Sequence, residues 1–375
     1  MLGRSQCPAI VTSALLTTSA FILGAAENPL ADPRPKMMLG VKIYETKREA
    51  ADLFREWQEL GLNTVVASAS LNRDPAFREQ AKRTGIARFV IVPVFYDPDA
   101  LKADPDLFAV TAHGERAREE WVEFACPSRE EFRRRKIEWI KSLVREADPD
   151  GLSIDFIRHF VFWEKVYPDR KPETIPSTCF DASCVRSFQK ATGVKLPGDL
   201  RTPPQIAAYV TANHLGAWAK WKCDLIAGMI RDIAREARTI KPTLLINVHA
   251  VPWRRTDFGG GIRTIVGQDF SQIAPHVDYI SPMTYAHMVK QPPAWVHAVV
   301  EDIADVARRP VIPSIQVGKA YLETPLSVEE FSQSLKEALA PPSGGVVFWA
   351  WQAFEEEPEK KAAVQRVLKG PKWSP

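Results

Sequence analysis

The chain has 375 residues, 45% of them hydrophobic and 25% charged, with a formal net charge of +3. That is an ordinary globular composition with length enough for one large domain, and it leaves no case for disorder. Lysines and arginines are spread along the chain and balanced by acids, so no nucleic-acid partner is expected.

Residues 1–26 read as a secretory signal peptide. Arg4 is the early positive charge, an apolar run extends from Ala9 to Leu23, and Gly24, Ala25 and Ala26 supply the small residues of a cleavage site. Export to the periplasm or beyond is therefore expected. An uncleaved anchor is the alternative, but Ser and Thr dilute the run and it is short for a span of about 20 residues. No other segment is apolar enough to cross a membrane. A Pro-rich linker, 27–36, follows, and the folded domain is expected over 37–370.

From there apolar β-branched runs alternate with stretches of helical period. Strand one is expected over Met38–Tyr44, with a helix over Arg48–Leu60 closed by Gly61. Strand two covers Asn63–Ser68, and a helix runs from Pro75 to Arg83. Strand three, Arg88–Phe95, is almost wholly apolar, as a parallel strand buried on both faces should be. An insertion occupies Asp97 to Pro127, then a helix spans Arg129–Glu146 with Ser128 as N-cap. Strand four, Gly151–Ile157, leads into a second insertion carrying Cys179 and Cys184. A long helical stretch, Pro204–Thr239, precedes strand five at Thr243–His249. Strands six, seven and eight fall at Tyr279–Thr284, Val311–Val317 and Gly345–Trp351, separated by helices over Ala294–Ala307 and Ser327–Ala338. A last helix spans Glu357–Leu368.

Eight strands alternating with helices, none joined by a hairpin signal, predict an all-parallel sheet closed into a single-domain (β/α)₈ barrel, with insertions after strands three and four. A doubly wound open sheet would usually show a Gly-rich phosphate loop after strand one, and none is present. In such a barrel the functional groups stand where strands end. That rule selects Tyr44 and Glu45, Tyr96 and Asp97, Asp155 and Arg158, and Asn247, His249 and Trp253. It also selects Met283, Tyr285 and His287, then Gln316, and then Trp349, Trp351 and Gln352.

Asp155 is the sharpest of these. In Gly151-Leu-Ser-Ile-Asp-Phe-Ile-Arg158, Leu152, Ile154 and Phe156 alternate with Ser153 and Asp155, so the polar pair points into the barrel. A carboxylate there is either paired with Arg158 or Lys42 or belongs to a site.

The run Ser153-Ile-Asp-Phe-Ile-Arg158 resembles the strand-four signature of bacterial glycoside-hydrolase-like barrel families. The same families resemble the chain at Cys179-Phe-Asp-Ala-Ser-Cys-Val-Arg-Ser-Phe-Gln-Lys-Ala-Thr-Gly193, at Gly267-Gln-Asp269, and at Asp278-Tyr-Ile-Ser-Pro-Met-Thr-Tyr285. A more distant likeness is to family-eighteen chitinases, through Asp150-Gly151, Asp155, Met283-Thr-Tyr285 and Trp349. Where that family has its catalytic glutamate this chain has Ile157, and its middle acid is Ser153 here, so substrate-assisted chitinase chemistry is not implied. What the resemblance implies is hydrolysis of a poly- or oligosaccharide.

Glycoside hydrolysis uses two carboxyl groups. Asp155 supplies one, and Asp269 and Asp97 lead the candidates for the other. Glu45, Glu164 and Glu323 are also available near loop starts, and Asp269 and Asp97 are equally readable as helix or turn caps. Tyr44, Tyr96, Trp253, Tyr285, Trp349 and Trp351 offer flat faces for sugar rings, with Trp349 and Trp351 on one face of strand eight. Arg158, His249, His287 and Gln316 offer hydrogen bonds to hydroxyls. Two other readings stay open: a non-catalytic carbohydrate-binding barrel, and a metal-dependent hydrolase using Asp155 with His249 or His287. The usual metal-hydrolase and serine-esterase motifs are absent, and neither a cofactor nor a metal is expected. Cys7 leaves with the signal. Cys179 and Cys184 are expected to form a local disulfide, with Cys126 and Cys223 as a second candidate pair. Nothing in the sequence decides the oligomeric state.

Overall fold

The computed structural model describes residues 37–368. The signal peptide, the linker and Cys7 lie outside the described residues. Eight parallel strands form one sheet: Met38–Ile43 (β1), Thr64–Ala67 (β2), Ala87–Pro93 (β3), Gly151–Asp155 (β4), Leu245–Ala250 (β5), Tyr279–Pro282 (β6), Ser314–Gln316 (β7) and Gly345–Trp349 (β8). Their order around the sheet is β6-β5-β4-β3-β2-β1-β8-β7. Parallel bridges Ile280–Val311 and Met283–Ser314 join β6 to β7 and bring the two edges together. The result is a (β/α)₈ barrel of one domain, as the alternation of strands and helices predicts.

Each strand falls on its expected run: β3 begins one residue earlier, at Ala87, β5 runs one residue further, to Ala250, and every strand stops short of the expected span at one end at least. The core explains which face goes where. Outward residues such as Val41, Val90, Leu152, Ile154, Val248 and Ile280 are fully buried under the surrounding helices. Inward residues near the start of the strands form a separate apolar plug of Met38, Val66, Phe89, Leu245, Tyr279, Ile312 and Val347. Gly151 is dictated by that plug, since a Cβ there would stand 2.3 Å from the Phe89 ring. Gly345, at φ +142°, lets β8 start against Met38, where a Cβ would meet the Met38 carbonyl oxygen at 1.9 Å. The plug seals one end, so chemistry is confined to the other.

Above the plug the interior turns polar. Ser281 Oγ donates to Asn247 Oδ1, Asn247 Nδ2 donates to Ser153 Oγ, and Ser153 Oγ is 2.8 Å from His249 Nε2. Each polar group on the barrel axis is thus partnered by the next strand.

Both insertions are present. After β3 the chain forms a short helix (Pro98–Ala103) and an antiparallel ribbon of Arg118–Glu119 with Val122–Glu123, then the helix Glu130–Ala147. After β4 come 3-10 turns at Trp163–Lys165 and Pro172–Thr174 and the helix Ala182–Thr192.

Five expectations need correction. The long helical stretch is two helices, Pro203–Asn213 and Leu215–Ile240, because His214 leaves helical geometry (φ −138°, ψ 21°) and Asn213 folds back onto the Tyr209 carbonyl. Ser128 does not cap the helix Glu130–Ala147; its hydroxyl is turned to the sulfurs of Cys126 and Cys184. Cys179 and Cys184 form no disulfide: all four described cysteines are free, and the Cys184 sulfur faces Cys126 across the two insertions at 3.0 Å. Cys223 lies apart from Cys126, its sulfur 3.7 Å from the Arg263 carbonyl. Finally, Trp351 does not share a face with Trp349. The strand stops at Trp349, Trp351 opens a short helix (Trp351–Glu356), and its ring is buried against Trp57 and Phe354.

Candidate active site

The open end of the barrel holds a cleft of about 550 Å³, within the size range of small-molecule sites. Its floor is made by inward residues at the strand ends. Lys42 comes from β1, Pro93 from β3 and Asp155 from β4, with Met283 after β6 and Trp349 from β8. Its walls come from the insertions and loops, with Tyr44, Tyr96, Trp121, Phe156, Arg158, Glu164, Tyr285 and Tyr321, and from Trp139 of the helix Glu130–Ala147.

Asp155 is the last residue of β4 and is buried. The next residue, Phe156, takes a left-handed backbone (φ +49°), and its N–H donates to Asp155 Oδ1 at 2.7 Å. A non-glycine residue in that region costs roughly 1–2 kcal/mol, and such strain clusters at functional sites. Tyr321, also lining the cleft, is at φ +58°, and its hydroxyl accepts the Trp121 indole N–H at 2.8 Å.

The electrostatics separate the two buried carboxyls of the cleft. For Asp155, burial opposes ionisation but is outweighed by His249, Lys42, the Phe156 N–H and Arg158, which hold its carboxyl below the usual range. His249 is itself buried beside Lys42 and pushed down to about 3. At neutral pH it is uncharged, so Lys42, the amide and Arg158 keep Asp155 ionised. Glu164 behaves oppositely. It sits in the Trp163–Lys165 turn, where burial raises its carboxyl to about 7; Arg158 opposes the shift and Asp155 adds to it. Its Oε2 has no hydrogen-bond partner.

Lys42 is 1% exposed and is lowered by burial to about 8, with Asp155 opposing the shift. Its ammonium donates to His249 Nδ1 (3.3 Å) and to the Tyr285 hydroxyl (3.2 Å). Donation to Nδ1 leaves the histidine proton on Nε2, pointing at Ser153. Tyr285 also stacks on Trp349, ring centroids 4.4 Å apart and 17° from parallel. Arg158 is almost fully buried. It donates to the Val161 carbonyl at 2.7 Å and lies over the Phe124 ring at 4.7 Å.

The residues selected at strand ends therefore divide. Tyr44, Tyr96, Asp155, Arg158, Met283, Tyr285 and Trp349 line one cleft, with His249 beneath it. Of the candidate acids Glu164 joins them, whereas Asp97, Asp269, Trp253, His287, Gln316 and Glu323 stand elsewhere. Asp97 caps the helix Pro98–Ala103 and is paired with Lys136 at 2.5 Å. Asp269 caps the short helix Phe270–Ile273 and is paired with Arg263 at 3.0 Å. Neither lines the cleft, so both take the capping role that their sequence context also allowed. Trp253 lines a neighbouring cavity of about 290 Å³ with Trp163, Phe258 and Trp295. His287 is held by Glu330 and the Thr324 carbonyl in a separate surface depression. Gln316 is spent on backbone, accepting from Met288 N–H and donating to the Gly318 carbonyl. Glu323 is exposed and paired with Lys319. Asp155, His249 and His287 do not gather as a ligand set; among the described residues that geometry belongs to Cys126, Cys179, Asp181 and Cys184.

Glu164 was one acid among several in the sequence, and burial singles it out. The strand-end rule passes over Trp121 and Tyr321, because both lie in loops. An aromatic inside the charged run Arg118-Glu-Glu-Trp121 was the available signal.

No family model and no curated protein matches the chain. Solved structures share its fold. The glycoside hydrolase domain of PgaB (BpsB) from Bordetella bronchiseptica superposes with a TM-score of 0.66 at 13% identity, covering 88% of this chain and 98% of that one. The catalytic domain of β-amylase from Paenibacillus polymyxa gives 0.62 at 9% identity, covering 90% and 99%. A β-galactosidase from Halorubrum lacusprofundi gives 0.61 at 14% identity; the match covers 84% of this chain and 53% of that one, so this chain spans about half its length. At such identities the likeness is one of fold.

Proposed function

We propose that the protein hydrolyses glycosidic bonds in a poly- or oligosaccharide, with Glu164 as general acid and Asp155 as the carboxylate that meets the anomeric carbon. The observation that carries this reading is a pair of buried carboxyls facing one cleft whose environments push them apart, one up to about 7 and the other below the usual range. Separation of that kind assigns acid and base within a carboxyl pair. A protonated Glu164 donates its proton to the glycosidic oxygen as the C–O bond breaks, and water then adds to the anomeric carbon and returns a proton to the glutamate. Asp155, kept charged by Lys42, the Phe156 amide and Arg158, stabilises the positive charge that develops on the sugar. Tyr285 and Trp349, stacked on each other, and the exposed aromatics Tyr44 and Trp121 offer surfaces for sugar rings. The shared fold with glycoside-hydrolase domains supports the reading as analogy. Export through residues 1–26 belongs to the same proposal and would place the enzyme where polysaccharides accumulate.

The test is release of reducing ends from a panel of α- and β-linked hexose and N-acetylhexosamine polysaccharides by the wild type, Asp155→Asn and Glu164→Gln. Release by the wild type and loss in both variants, with binding retained, supports the proposal. Equal release by wild type and variants overturns the residue assignment. Binding without release by any of them would make the protein a carbohydrate-binding barrel.

A further inference from the structure

We propose that Cys126, Cys179, Asp181 and Cys184 form a closed structural zinc site that ties the two insertions together behind the wall of the cleft. One ligand atom from each of the four residues lies within 4.8 Å of all the others. The three cysteines are fully buried and carry free thiols. Cys126 and Cys184 approach to 3.0 Å, too far for a disulfide of about 2.05 Å and close enough for two sulfurs to share one ion. Three thiolates and one carboxylate suit zinc, which takes sulfur at about 2.3 Å and oxygen at about 2.0–2.2 Å in tetrahedral sites.

The surroundings are arranged around the sulfurs. Asp181 caps the helix Ala182–Thr192: its Oδ1 accepts the Ser183 and Cys184 amides, and its Oδ2, 3.2 Å from Cys179 Sγ, is turned to the thiols. The Val110 N–H donates to Cys179 Sγ at 3.2 Å. Ser128 Oγ lies 3.2 Å from Cys126 Sγ and 3.0 Å from Cys184 Sγ. Arg129 stands 3.3 Å from Asp181 and offsets the negative charge of the ligand set. Outer donors of this kind orient metal ligands and moderate their charge. With every sulfur buried and four ligands supplied, no position is left for substrate, which makes the site structural.

Its place in the fold gives it a consequence. Cys126 arrives from the first insertion, and Cys179, Asp181 and Cys184 from the second, 58 positions from Cys126 to Cys184. Two residues before Cys126, Phe124 packs against Phe156 and under Arg158. The ion would therefore fix the chain segment that supports the cleft wall, whatever reaction the cleft performs.

The test uses the full chain stripped by chelator and re-equilibrated with zinc or with cobalt. Expected are one retained zinc per chain, and for cobalt the thiolate charge-transfer and intense tetrahedral d–d absorption. Cys126→Ser, Cys179→Ser and Cys184→Ser should lose the ion, whereas Cys223→Ser should keep it. The cobalt spectrum of the wild type decides the matter even where a cysteine variant fails to fold. Wild-type protein that retains no zinc and gives no thiolate–cobalt absorption overturns the proposal. A Cys126–Cys184 disulfide found by intact-mass and peptide analysis of the untreated protein overturns it equally.

Discussion

Replacing Lys42 by Met should leave the protein at least as stable while removing most of its turnover. The lysine is fully buried, and its shift from 10.5 to about 8 means that keeping the buried ammonium charged costs roughly 3 kcal/mol at neutral pH. The methionine removes that cost. It also leaves His249 Nδ1 and the Tyr285 hydroxyl without their donor, at about 1 kcal/mol each. The balance is a variant stabilised by about 1 kcal/mol below pH 8. The sign then changes with pH in a defined window. Because the folded value lies below the unfolded one, the unfolded chain binds more protons between about 8 and 10.5, and wild-type stability rises across that range. The advantage of Lys42→Met should therefore shrink as pH rises through it. Activity follows the opposite course, since Asp155 loses one of the charges that keep it ionised, and turnover should fall on the order of a hundredfold. Urea unfolding followed by tryptophan fluorescence, at pH values below 8 and near 10.5, supplies the stability differences. A variant several kcal/mol less stable, with unchanged turnover per folded molecule, would make Lys42 a structural residue and refute the reasoning.

The remaining predictions concern the same barrel. The kcat/KM of the wild type should fall on the alkaline side as pH rises through about 7, where Glu164 loses its proton. Arg158→Met should move that limb upward, because Arg158 favours the ionised glutamate; an unmoved limb in a folded variant would assign it to another group. Trp349→Ala should raise KM roughly tenfold through lost stacking with little change in Tm. Trp351→Ala, which empties the core beside Trp57 and Phe354, should cost about 3–5 kcal/mol in urea unfolding without a matching change in KM. The reverse pattern would exchange the two tryptophans' roles. Gly151→Ala sets a methyl 2.3 Å from the Phe89 ring and should destabilise the barrel by about 1–3 kcal/mol; an unchanged Tm would show that the plug can yield there.

The barrel is legible in the sequence because parallel strands buried on both faces leave short β-branched runs such as Phe89-Val-Ile-Val92, and helices between them leave a different period. Asp155 is legible for the same reason, since strand alternation assigns it to the interior. Strand ends are less so: Trp351 follows the period of β8 by two residues, but the chain has already entered a helix. What periodicity cannot reveal is depth of burial in irregular segments. Glu164 sits in a single 3-10 turn, and only its enclosure by the cleft separates it from Asp97, Asp269 and Glu323. The cysteines show the same gap. Their spacing suggested a local pair, whereas the insertion after β3 carries Cys126 to them from the other side.

Glu164 as general acid is tested most directly by the pH dependence of reducing-end release by the wild type and by Glu164→Gln on one substrate that both bind. Wild-type release should show an alkaline limb near pH 7, and the variant should bind equally well but lose turnover together with that limb. Release by Glu164→Gln at the wild-type rate, with the same limb, would contradict that role.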